Sequence, residues 1–167
     1  MYDGCSLAIS SFVRRILVAT DGSERAGRAV GWAAEMAERY GADLVLLRVF
    51  VSEFTPGTQA GAAETTRFTR EEAELRQEAE QRAGARGHAR VAVGEKPAYV
   101  ICQVAEEEDA DVLVLGNAGM TGRKEFLLGN VPNWVSHNAP CTVIIVDTGE
   151  PEVEGGRVRR FFRRTAG

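Results

Sequence analysis

The stretch Gly116-Asn-Ala-Gly-Met-Thr-Gly-Arg-Lys-Glu-Phe-Leu-Leu-Gly-Asn130 carries the residue types and spacing best suited to holding an anion. Glycines let a backbone come close to a ligand, and the uncommitted N–H groups of a following helix face negative charge. The apolar run Asp111-Val-Leu-Val-Leu115 before it reads as a buried parallel strand. Val131-Pro-Asn-Trp-Val135 after it reads as a helix with proline in its first turn. Strand, glycine-rich loop and helix N-terminus in that order make a phosphate cradle. Taken alone, Gly116 and Gly119 serve equally well as turn residues, with Asn130 a plain cap preceded by Gly129. Arg123 and Lys124 can neutralise phosphates or lie solvated.

Asp21 is the second candidate. As a carboxylate after an apolar run it can hydrogen-bond a ribose or help hold a phosphate-bound cation. It can also cap a helix, because Asp21-Gly-Ser-Glu24 has capping-box spacing. Gly22-x4-Gly27 misses a P-loop, since Arg28 and Ala29 replace the required Lys and Ser/Thr. The two histidines, His88 and His137, belong to neither a Gly-x-Ser-x-Gly elbow nor a His-Glu-x-x-His pair. With no metal-ligand cluster and no catalytic constellation, the sequence gives no sign of a dedicated catalytic apparatus. Any Mg²⁺ is expected to arrive on nucleotide phosphates.

These groups need a scaffold. At 167 residues the chain is expected to be one domain with a substantial core. Its hydrophobic content is 44%, and no run approaches the roughly 18 apolar residues of a membrane span. Met1 to Val13 lacks the pattern of a signal peptide. A net charge of −4 gives no support for non-specific nucleic-acid binding. Cys5, Cys102 and Cys141 form no Cys-x-x-Cys pair, which fits free thiols and a cytoplasmic location.

In chain order, residues 1–14 read as an extension. Ile16–Ala19 is a strand ending at the turn Thr20–Ser23, and Ala26, Val30, Ala33, Ala34 and Ala37 define a helix closed by Gly41. Asp43–Phe50 is a second strand. Val51–Phe68, with Pro56, Gly57 and Gly61, predicts a long loop, functional or disordered. Thr69–Ala85 predicts a thinly packed, largely solvated helix, His88–Val93 a strand, and Val100, Ile101, Val104 and Ala105 a helical face. The helix from Asn130 to about Asn138 and the β-branched strand Thr142–Val146 follow. Residues 149–167 read as a tail, where Arg157-Val-Arg-Arg-Phe-Phe-Arg-Arg164 is either a solvated segment or a binder of an anionic surface, RNA or acidic partner. Five strands alternating with helical segments predict an α/β, doubly wound parallel sheet. Ligands of such sheets sit beyond the carboxyl ends of the strands, where strand order reverses.

The spacing Gly116-x2-Gly119-x9-Gly129-Asn130 resembles the nucleotide-binding signature of the universal stress protein family. That signature ends in Ser or Thr where this chain has Asn130, and the resemblance extends over about residues 15–147. It implies a five-stranded sheet of order 3-2-1-4-5, which places strands 1 and 4 side by side. It further implies ATP as ligand: Asp21 and the backbone at Val49 meet ribose and adenine, and Gly116, Gly119, Gly129, Asn130 and Val131 meet the phosphates. From its residue type alone Val49 is simply core. The resemblance also implies a homodimer through the Thr142–Val146 strands, which would cover an exposed sheet edge. The expected role is a nucleotide-responsive regulatory module of the stress response. Two alternatives are a slow ATP hydrolase and a dimeric interaction module that binds no nucleotide.

Overall fold

The computed structural model describes residues 12–51, 59–117 and 130–149. The expectations for residues 1–11 of the N-terminal extension, Gly119, Gly129, Arg123, Lys124 and the arginine-rich tail fall outside these residues. Five strands form one parallel sheet: β1 (Arg15–Ala19), β2 (Asp43–Phe50), β3 (Gly87–Val93), β4 (Val112–Gly116) and β5 (Thr142–Val146), in the order β3-β2-β1-β4-β5. The helices are α1 (Glu24–Tyr40), α2 (Gln59–Ala83), α3 (Pro97–Glu107) and α4 (Asn130–Asn138), with a short 3₁₀ turn over Gly84–Arg86.

Alternation along the central strands divides the core in two. Ile16, Val18, Leu44, Leu46, Val112 and Val114 face α1 and α2. Leu17, Val45, Leu47, Leu113 and Leu115 face α3 and α4. Both faces are covered, which is why β1, β2 and β4 read as near-continuous apolar runs rather than alternating ones. The chain winds outward through β1, β2 and β3, then returns to build β4 and β5 on the other side. The reversal lies between β1 and β4.

The N-terminus of α1 departs from the capping-box reading of Asp21. Ser23 is the N-cap, and its Oγ accepts the Ala26 N–H at 3.2 Å. Asp21 instead accepts the Ser23 N–H at 2.9 Å, closing a turn through Gly22 at φ +78°. Gly41 ends α1 at φ +64°, as expected.

The predicted loop over Val51–Phe68 is also corrected, because α2 already begins at Gln59. Of the described residues of α2, Leu75 and Ala79 are fully buried. So thin an apolar face leaves no readable hydrophobic period. The helix rests instead on good helix formers and on i,i+4 pairs such as Arg70–Glu74 at 2.9 Å.

At the opposite end of the sheet Asp111 ties β4 to β1. Its Oδ2 accepts the Arg14 N–H at 2.7 Å and the Arg15 N–H at 3.0 Å. The Arg14 bond chiefly, with Arg15 behind it, holds the carboxyl below its usual range. A depressed folded-state value stabilises the fold above the unfolded value of about 4, and that contribution is lost as pH falls further. Asp111→Asn is therefore expected to be less stable than wild type at pH 7, with the gap closing towards pH 3. Urea melts at the two values read this directly, and an equal gap at both would count against the assignment.

Candidate functional site

A cleft of about 610 Å³, counting its open mouth, lies beyond the carboxyl ends of β1, β2 and β4. That is the place the reversal of strand order provides. Its apolar wall is Leu47 and Val49 of β2, Leu115 of β4 and Ile101 of α3. Val49, read from its type as plain core, is only half-buried and lines the cleft. On its other side stand Asp21, Ser23 and Arg25, delivered by the β1–α1 turn. Val131 and Pro132 bring in the first turn of α4, and Gly116 closes the end of β4.

Thus Asp21, Val49, Gly116 and Val131 converge on one cleft from four separate stretches of chain. Asn130 opens α4, so the helix N-terminus falls where the glycine-rich stretch placed it. Proline at position 132 removes an N–H that a first helical turn does not use.

Three polar residues that the sequence reading passed over hold the walls. Thr20 is buried; its N–H donates to the Leu47 carbonyl at 2.9 Å, and its Oγ1 accepts the Gly22 N–H at 3.1 Å. Both bonds fix the departure of the Asp21 turn from β1. Asn117 and Thr148 form a clasp across the ends of β4 and β5. The Asn117 Oδ1 accepts from the Thr148 N–H at 2.9 Å and from its Oγ1 at 3.0 Å. The Asn117 Nδ2 donates to Asp147 at 2.9 Å. Asp147 also accepts the Gly149 N–H, and this bond first, then Asn117, depresses its pKa. Thr148 is 2% exposed, yet it lines the cleft beside Gly116. The signal was present in sequence as two polar residues just past apolar strands, but their partnership spans 31 positions and no local pattern reveals it.

The site carries little that resembles a catalytic engine. No group of three His, Cys, Asp or Glu side chains suited to a metal occurs among the described residues. His88 is exposed on edge strand β3, and His137 is exposed in the last turn of α4. Burial pushes the thiols of Cys102 and Cys141 up, away from the reactive thiolate. Among the described residues no helix is long and apolar enough to cross a membrane.

Comparison with known proteins agrees with this architecture. The model of the Universal stress protein family matches residues 13–147. A universal stress protein of Mycobacterium tuberculosis is 33% identical over 151 residues, spanning 83% of this chain and 99% of that protein. A universal stress protein solved in complex with cAMP superposes with a TM-score of 0.65 at 29% identity, covering 83% of this chain and 100% of the other. The Archaeoglobus fulgidus universal stress protein in complex with dAMP gives 0.55 at 26% identity, covering 80% and 98%.

Proposed function

Because the chain belongs to the universal stress protein family, we propose that it binds an adenine nucleotide, ATP in particular, and acts as a nucleotide-responsive regulatory module. The observation that carries this reading is the convergence of Asp21, Val49, Gly116 and Val131 on the cleft at the β1/β4 reversal. The two relatives solved with cAMP and dAMP support an adenine nucleotide as the ligand class. Adenine would lie against Val49, Leu47 and Ile101, where an apolar wall favours a flat ring. Ribose would reach Asp21. Phosphates would meet the N-terminus of α4 at Asn130 and Val131, together with Gly116, Gly119 and Gly129 of the signature. Asn130 has no compact hydroxyl, so contact there shifts toward the Val131 N–H. Asp21 is the one carboxylate among the described lining residues. That fits a Mg²⁺ held mainly by the nucleotide's own phosphates and not by a protein cage.

Titration calorimetry of ATP with Mg²⁺ into protein freed of co-purified nucleotide tests the reading. Saturable binding that Gly119→Asp abolishes is the expected result. Absence of heat, with no nucleotide released on denaturation, would overturn it in favour of a non-nucleotide interaction module. Turnover that disappears with Asp21→Ala would instead mark a slow hydrolase.

The proposal includes a homodimer. β5 is an edge strand, and Ile145 on it is 41% exposed. Pairing of two such strands removes an aggregation-prone edge. Sedimentation should report two chains for the wild type and one for Ile144→Pro; an unchanged mass for the variant would exclude this interface.

A further inference from the structure

The carboxyl end of β2 faces two ways. Val49 points to the cleft, while Arg48 and Phe50 point to the opposite face, toward α2. Phe50 packs against Phe68 with ring centroids 5.0 Å apart and the planes tilted by 44°, and the Arg67 guanidinium lies 5.2 Å above the Phe50 ring. Arg48 pairs through Nη1 with Glu71, and the two side chains are 14% and 25% exposed. These contacts attach the stretch of α2 preceding Leu75 to the sheet.

Arg48 has a second neighbour. A Cβ built on Gly22 would lie 2.7 Å from its Nη2 and 3.0 Å from its Cζ. The guanidinium therefore packs directly against the Asp21–Gly22–Ser23 turn. Its Nε is buried, with no hydrogen-bond partner among the described residues. A group placed at such cost in solvation depends on its charged partner to keep its geometry, and among the described residues that partner is Glu71.

We propose that Arg48 is a positioning residue for the cleft, holding the Asp21 turn in place and taking its own place from Glu71 on α2. Resting on the nucleotide reading above, this makes the docking of α2 a determinant of nucleotide affinity. By linkage, nucleotide in the cleft steadies α2 by the same factor. A partner that grips or releases the exposed face of α2 would then tune the site without touching the ligand.

Two measurements on the full chain test it. In calorimetry with ATP and Mg²⁺, Arg48→Leu and Glu71→Gln should each weaken binding about tenfold. The double variant should be no worse than Arg48→Leu alone, since both act through one contact. Glu74→Gln, which breaks the exposed pair with Arg70, should bind as wild type does. Unchanged affinity in folded Arg48→Leu and Glu71→Gln would overturn the proposal. Should Arg48→Leu fail to fold, Glu71→Gln decides.

The second measurement needs no nucleotide. The Gly22 and Ser23 amides donate to Thr20 Oγ1 and Asp21 Oδ1, and the Ala42 amide donates to the Ala37 carbonyl at the far end of α1. In Glu71→Gln, hydrogen exchange should quicken at Gly22 and Ser23 while Ala42 keeps its wild-type rate. A general loss of stability would quicken all three, and that result, or no change at the turn, would overturn the proposal. If the wild type binds no nucleotide, the nucleotide reading falls and exchange alone judges the role of Arg48.

Discussion

Gly87→Ala is expected to lower the thermal midpoint by roughly 10 °C, corresponding to about 3 kcal/mol for a chain of this size. Gly87 opens β3 opposite Leu44, at the point where α2 crosses the sheet. A Cβ there would stand 2.0 Å from the Ala79 carbonyl oxygen, 2.4 Å from its carbon and 2.9 Å from the Glu80 nitrogen. All three are backbone atoms of a helix, so no side chain can turn aside. Relief requires α2 to lift from β3. Leu75 and Ala79, which supply the buried face of that helix, would lose their packing together. Gly84→Ala is the comparison: nothing lies within 4 Å of its Cβ, but its φ of +58° adds a backbone penalty of about 1 kcal/mol. A thermal melt separates the two, and a Gly87→Ala midpoint no lower than that of Gly84→Ala would show that α2 yields more readily than its contacts imply.

That contact also shows where the sequence could be read and where it could not. A buried strand such as Val112–Gly116 announces itself by its run of valine and leucine, because both faces of the sheet are covered there. Helix α1 shows a clear period, because Val30, Ala33 and Ala37 all pack inward. Helix α2 does not: Pro56, Gly57 and Gly61 suggested a long loop, and a helix whose described anchors are Leu75, Ala79, the Phe68 and Arg67 contacts with Phe50 and the Glu71 pair with Arg48 hardly imprints a pattern. At α1 the spacing offered Asp21 as the cap, whereas Ser23, two residues on, takes that place. Only the left-handed turn at Gly22 decides for Ser23, leaving the Asp21 side chain on the cleft. The same holds for Val49. Within the run Asp43–Phe50 nothing sets it apart from its neighbours, whereas in the fold the alternation puts Val49 on the cleft and Arg48 and Phe50 under α2.

Among the described residues, the largest effect expected on ligand binding comes from Gly116→Ala, a single methyl group at the end of β4. Its Cβ would lie 2.9 Å from Thr148 Cγ2 and 3.1 Å from Oγ1. Thr148 cannot simply rotate, since its N–H and hydroxyl are both committed to Asn117. The free protein can relax by letting the Asn117–Thr148 clasp slip, which moves two walls of the cleft. Binding must then restore them against about 1–3 kcal/mol of overpacking, a loss of about 5- to 150-fold in affinity. The clasp itself supplies the control. Thr148→Ser deletes the offending methyl and keeps the hydroxyl that donates to Asn117, so the Gly116→Ala/Thr148→Ser protein should recover most of the affinity that Gly116→Ala loses. Thr148→Val keeps the bulk and removes the hydrogen bond, and combined with Gly116→Ala it should recover none. Wild type, Gly116→Ala, Thr148→Ser and the Gly116→Ala/Thr148→Ser protein form a cycle around one contact, in which departure from additivity measures the contact itself. Strict additivity in ATP affinity would mean that Gly116 serves the ligand directly through its bare backbone, with Thr148 a bystander.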